Sequence, residues 1–160
     1  YFMQLLYTFN RIFYFIFNIE GNGNAKTTRL KGINEVDLLV ESLSKYAEEC
    51  SISYEKIETT AKYVLANSKI KISELAWTPI LYIKVSVVHN GVSCSVFSKI
   101  TVQTLSDKDP YDFGNRGAFL YYQNDRIATG GIKSSIANLV IEQIEEMMKE
   151  LVVKHHEDNQ

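Results

Sequence analysis

The feature that most restricts how this chain can fold is a pair of β-rich runs joined by Asn90-Gly91. Residues 80–89 follow Pro79 and are dense in β-branched side chains, and residues 92–105 return with the same alternation. Asn-Gly suits a two-residue type I′ turn, in which both central residues take φ > 0. Such a turn sets a register: Val87 opposite Cys94, Val85 opposite Val96, Ile83 opposite Ser98, Leu81 opposite Ile100. Those side chains share one face and nearly all are apolar, so that face belongs to a core. Tyr82, Lys84, Ser86, Phe97, Lys99 and Thr101 fall on the other face, which is expected to be at least partly wet.

The elements around the hairpin follow from period and punctuation. Residues 33–49 carry two periods at once. Val36, Leu38 and Val40 alternate as in a strand, while Ile33, Val36, Val40, Leu43 and Ala47 trace a helical stripe. We read a strand over 34–43, then a turn through 45–50. Ser53 can cap a helix with Glu55 in its first turn, and Tyr54, Ile57, Ala61, Val64 and Leu65 recur at helical spacing. Residues 69–72 alternate as a short strand. Residues 106–115 read as a loop and 117–123 as a further strand, with Asn124-Asp125-Arg126 turning the chain. Gly130-Gly131 leads into a last helix, where Ile136, Leu139, Val140, Ile144, Met147, Met148 and Leu151 oppose Glu142, Glu145, Glu146 and Lys149. The order β-α-β-β-β-β-α predicts an α+β domain, an antiparallel sheet of about four to five strands with two helices on one face.

Composition bounds the remaining readings. A chain of 160 residues, 46% hydrophobic and 22% charged, suits one globular domain, here residues 26–160, and not a disordered one. Lys+Arg 17 against Asp+Glu 19 gives a net charge of −2, without the cation excess of a nucleic-acid binder. Residues 1–25 differ from the rest. Tyr1, Phe2, Tyr7, Phe9, Phe13, Tyr14, Phe15 and Phe17 crowd this stretch, and Arg11 precedes the apolar run 12–17. Gly23-Asn24-Ala25 then completes the outline of a secretory signal. Three readings stay open for this segment: an export signal, an aromatic strand or hairpin packed on the domain, and a retained anchor through residues 1–19 that touches a membrane.

The candidate chemical sites are few. Cys50 and Cys94 would form a disulfide in an exported chain and two buried thiols in a reducing compartment. Residues 107–114 (Asp-Lys-Asp-Pro-Tyr-Asp-Phe-Gly) suggest a calcium loop, but Tyr111 and Asp112 occupy positions that need a ligand and a glycine, so a solvated turn accounts for them. Gly130-Gly131-Ile132-Lys133-Ser134 has an anion-binding look at a helix start but breaks the Walker spacing, and a glycine-rich lead-in with a Ser cap explains it equally. His89 reads as a solvent-exposed turn residue, and His155-His156 as part of a fraying polar tail. No H-E-x-x-H, G-x-S-x-G or C-x-x-C is present, so the expectation is no catalytic residue, no metal and no cofactor. Trp77, Tyr111, Phe113, Phe119, Tyr121 and Tyr122 form an aromatic group whose default roles are core and strand. Within it Tyr111, Phe113, Tyr121 and Tyr122 are the candidates for a recognition surface.

The stretch from Leu30 to Gln160 resembles a loosely defined group of small exported bacterial domains of unknown function. The residues that carry this are Val36-Asp-Leu-Leu-Val-Glu-Ser-Leu43, Pro79-Ile-Leu-Tyr-Ile-Lys-Val85 and the two isolated cysteines. The element order is also similar, more distantly, to envelope accessory domains such as the TolB amino-terminal domain and the lipoprotein activators of penicillin-binding proteins. The resemblance implies export and a binding or assembly role without catalysis, and transfers no site residues. The resulting expectation is a non-enzymatic periplasmic or secreted domain with a protein partner and no nucleic acid. Two rivals stand beside it: a subunit of a membrane-associated complex anchored by residues 1–19, and an enzyme with a dispersed site near residues 107–115.

Overall fold

The computed structural model describes residues 30–73, 75, 78–106, 117–130 and 133–160. Strand β1 is Glu35–Val40, followed by a short helix α1 (Lys45–Glu49) and helix α2 (Tyr54–Ala66). Strands β2 (Lys71–Ile72), β3 (Ile80–His89), β4 (Cys94–Ser106) and β5 (Gly117–Gly130) come next, and the long helix α3 (Lys133–Asp158) closes the chain. The five strands lie in the order β2-β1-β3-β4-β5. The fold is α+β, as the alternation of elements implied, but the sheet is mixed, not purely antiparallel. β1 is parallel to both β2 and β3, while β3, β4 and β5 form an antiparallel meander. The physical cause is the route between them. Helices α1 and α2 carry the chain back to the start of β1, so β2 must run alongside it. β2 pairs only with Glu35 and Val36, which lets a short link cross to the other side of β1 and begin β3 opposite Asp37.

Two sequence expectations are corrected at the hairpin and β5. The loop between β3 and β4 has four residues, 90–93, so His89 pairs with Cys94, Val87 with Val96, Val85 with Ser98 and Ile83 with Ile100. Asn90 is the reason. Its side-chain oxygen accepts from the backbone N–H groups of Val92 and Ser93, at 3.1 and 2.8 Å, while Gly91 alone takes positive φ. The register therefore slips by two, and an even slip leaves every side chain on its original face. Residues 124–126 do not turn. β5 continues through them to Gly130, because Asn124 and Arg126 point toward α3, where Glu150 receives both side chains.

The core lies between the sheet and the helices. Leu81, Ile83, Val85, Val87, Val96, Ile100 and Val102 bury one sheet face under Ile57, Ala61, Val64 and Leu65 of α2 and Ile136, Val140, Ile144, Met147, Met148 and Leu151 of α3. Leu139, assigned to that stripe from spacing, is 39% exposed. Ser53 caps α2 by accepting from the N–H of Lys56. The stretch read as a turn at 45–50 is helix α1, ended by a Schellman arrangement: Ile52 N–H donates to the Ala47 carbonyl and Ser51 N–H to that of Glu48, both at 2.9 Å. Ser51 takes φ 61 to make it.

Candidate functional site

Three features stand out once the core is accounted for: the bonded cysteines at the hairpin end, the aromatic pair on β5, and the sheet face turned away from the helices. Cys50 sits at the C-cap of α1 and Cys94 opens β4; the two are joined as a disulfide, 44 residues apart in sequence with Cα atoms 6.2 Å apart. The Schellman end of α1 fixes the direction of Cys50, and the four-residue loop fixes where β4 begins. Both sulfurs are buried, at 0% and 2% residue exposure. His89 lies beside them, across the strand pair from Cys94, and its Nδ1 is 2.7 Å from Oε2 of Glu49. It is not the solvent-exposed turn residue expected from sequence, because α1 packs over the end of β3 and leaves its side chain 8% exposed.

Tyr121 and Tyr122 lie in β5 and are both half-buried against the core. Tyr121 is the extra residue of a bulge, since Val102 pairs with Tyr122 while Gln103 pairs with Leu120. Tyr121 shares a 3.2 Å hydrogen bond with the Thr104 hydroxyl. The Tyr122 hydroxyl accepts from Asn124 Nδ2, also at 3.2 Å. Burial pushes the Tyr122 phenol above its ordinary pKa; the Asn124 amide and Arg126 pull it down and Glu150 pushes it up. Tyr111, Phe113, the dispersed-site candidate at 107–115, Trp77, Gly131 and residues 1–25 lie outside the described residues. Among the described residues no group of three His, Cys, Asp or Glu side chains could hold a metal ion, and no helix is long and apolar enough to cross a membrane.

The tail was misread in sequence. α3 runs to Asp158, and its last turn clasps the segment that leads into β1. Leu30 N–H donates to Asp158 Oδ2 and Gly32 N–H to Asn159 Oδ1, each at 2.8 Å. His155, 3% exposed, donates from Nε2 to the Ile33 carbonyl at 2.6 Å. His155 is therefore a packed, hydrogen-bonded core histidine. A shallow groove along α3, lined by Tyr122, Lys149, Glu150, Val153, Lys154 and Glu157, has its cations paired within the helix, Lys149 to Glu145 and Lys154 to Asp158.

On the sheet face away from the helices a row of charges crosses four strands. Glu41, just past β1, lies 3.8 Å from Lys84. Lys84 pairs directly with Lys99, and Lys99 with Asp125. On one side of this row lie Tyr82, Thr101 and Gln103. Thr101 Oγ1 and Gln103 Nε2 are buried without a hydrogen-bond partner among the described residues, and the Tyr82 phenol is pushed far up by burial and then by Glu41, which repels a phenolate and accepts a hydrogen bond from the phenol. On the other side lie Val88, Phe97 and Ile127. Val88 and Phe97 belong to runs the sequence marked as strand. Ile127 was missed because residues 124–126 looked like a turn, although the β-branched spacing of Ile127 and Thr129 was a signal that the strand continues.

No family model matches the chain, and no curated protein matches it. Among solved structures it is similar to a minor lipoprotein from Acinetobacter baumannii, at 11% identity over 76% of this chain and 94% of that one, with a TM-score of 0.40. It is also similar to the rare lipoprotein B from Shewanella oneidensis, at 12% identity over 78% and 92% of the two chains, with a TM-score of 0.31. Likeness at this level carries no argument about activity or partner.

Proposed function

We propose that this chain is an exported, non-enzymatic domain of the bacterial cell envelope that works by binding a protein partner. The observation that carries the reading is the Cys50–Cys94 bond. Protein disulfides form and persist in oxidising compartments and are rare in the cytosol, and this one ties α1 to the hairpin across 44 residues. The signal-like outline of residues 1–25 supports the same address. A binding domain needs a shaped, rigid surface, and the stapled hairpin end supplies one. Cell fractionation of the native host tests the address: the chain is expected in the periplasmic or secreted fraction, accessible to protease added outside the inner membrane. Recovery wholly in the cytosol overturns the proposal.

A further inference from the structure

Resting on the binding-domain reading, we propose that the diagonal strip Val88–Phe97–Ile127, on the sheet face opposite the helices, receives a partner protein of a different chain, one that presents an apolar ridge beside carboxylates. The register builds the strip. Phe97 pairs with Ile127 across β4 and β5, and with Ser86 across β3 and β4. Val88 pairs with Ser95, one step along the same face from Phe97, so Val88 lies diagonal to Phe97 and Ile127 directly opposite it, all within cross-strand reach. Val88 is 68% and Ile127 71% exposed. An apolar centre with a polar margin is the anatomy of a protein interface.

The margin argues for what covers the strip. Lys84 and Lys99 face each other directly, a like-charge pairing that is unfavourable on a sheet, with Glu41 and Asp125 outside them. Carboxylates from a partner, set over the two ammonium groups, would relieve that repulsion. The row reads acid, base, base, acid from either end. Any twofold that lays one row on another copy's row therefore sets like charge on like, which counts against a second copy of this chain.

Photo-crosslinking tests the assignment. The full chain carries p-benzoylphenylalanine at position 88, 127 or, as a control on α3, 153, and is irradiated in its native host. The proposal expects one adduct with a single other protein from positions 88 and 127 and none from 153. It further expects the yield to fall about tenfold when Lys84→Glu and Lys99→Glu are combined, the scale of a lost charge complementarity. A circular-dichroism spectrum confirms folding of the double variant, and the milder Lys84→Gln, Lys99→Gln pair repeats the measurement should it fail. An adduct of twice the chain mass, a lipid adduct, or a yield indifferent to the charge reversal overturns the proposal. An adduct from position 153 alone overturns the strip while leaving the binding reading intact; no protein adduct from any position contradicts both.

Discussion

Cys50 and Cys94 act on stability mainly through the unfolded chain. A bridge across 44 residues removes loop freedom that the chain-entropy account values at about 4 kcal/mol. The double variant Cys50→Ala, Cys94→Ala is expected to lose about that much in urea unfolding, and a loss under about 1 kcal/mol would show that the bridge is decorative. Tyr82 makes a second prediction. Its folded-state pKa lies well above the ordinary 10.0, chiefly through burial and then through Glu41. Below that ordinary value the folded and unfolded chains both hold the proton. Above it the unfolded chain releases its proton first, so stability falls as pH rises through and beyond about 10. Urea midpoints are expected to be level between about pH 8 and 9.5 and to decline above about 10, with the decline shallower in Tyr82→Phe. An identical alkaline slope in that variant would remove Tyr82 from the account.

At the scale of elements, loop and cap chemistry decides register and direction. Asn90 holds the four-residue loop through two backbone N–H groups. Asn90→Ala is expected to cost about 1 kcal/mol and to weaken amide-exchange protection first at Val92 and Ser93. Ser51 occupies a left-handed position at the end of α1, where glycine carries no side-chain penalty. Ser51→Gly is expected to leave stability unchanged or raise it by up to about 1 kcal/mol; a clear loss in thermal unfolding would contradict the reading of that cap. These two residues also show what the sequence disclosed. The faces of β3 and β4 were legible because alternation survives a two-residue slip, but the register was not, since Asn90-Gly91 fits a two-residue turn and also a four-residue loop whose deciding bond is a side-chain one. β1 read as a strand from Val36 and Val40, yet nothing in its own residues says that it pairs parallel; that follows from the helical return and the brevity of β2. β5 was cut short because Asn124 and Arg126 have turn character in isolation, and their role becomes visible only with Glu150, more than twenty positions away.

Across the whole molecule the chain is closed at two poles. At one, the disulfide joins α1 to the hairpin; at the other, the last turn of α3 clasps residues 30–33. His155→Phe leaves the Ile33 carbonyl buried without its donor, and a loss of about 1–3 kcal/mol is expected in urea unfolding, together with faster exchange of the Leu30 and Gly32 amides. A variant with unchanged exchange at those two amides would mean that the clasp does not hold the leading segment. The proposed recognition strip lies toward the stapled pole, so the same covalent tie that indicates an oxidising compartment also stiffens the hairpin that presents the strip. The oxidation state of the sulfurs in the cell is thus the most direct test of the whole account. The chain is isolated from its native host with thiols blocked at lysis by an alkylating reagent under denaturing conditions, and its intact mass is measured before and after reduction followed by a second alkylation. The account predicts no alkylated cysteine before reduction and two after it; both cysteines alkylated at lysis would contradict it.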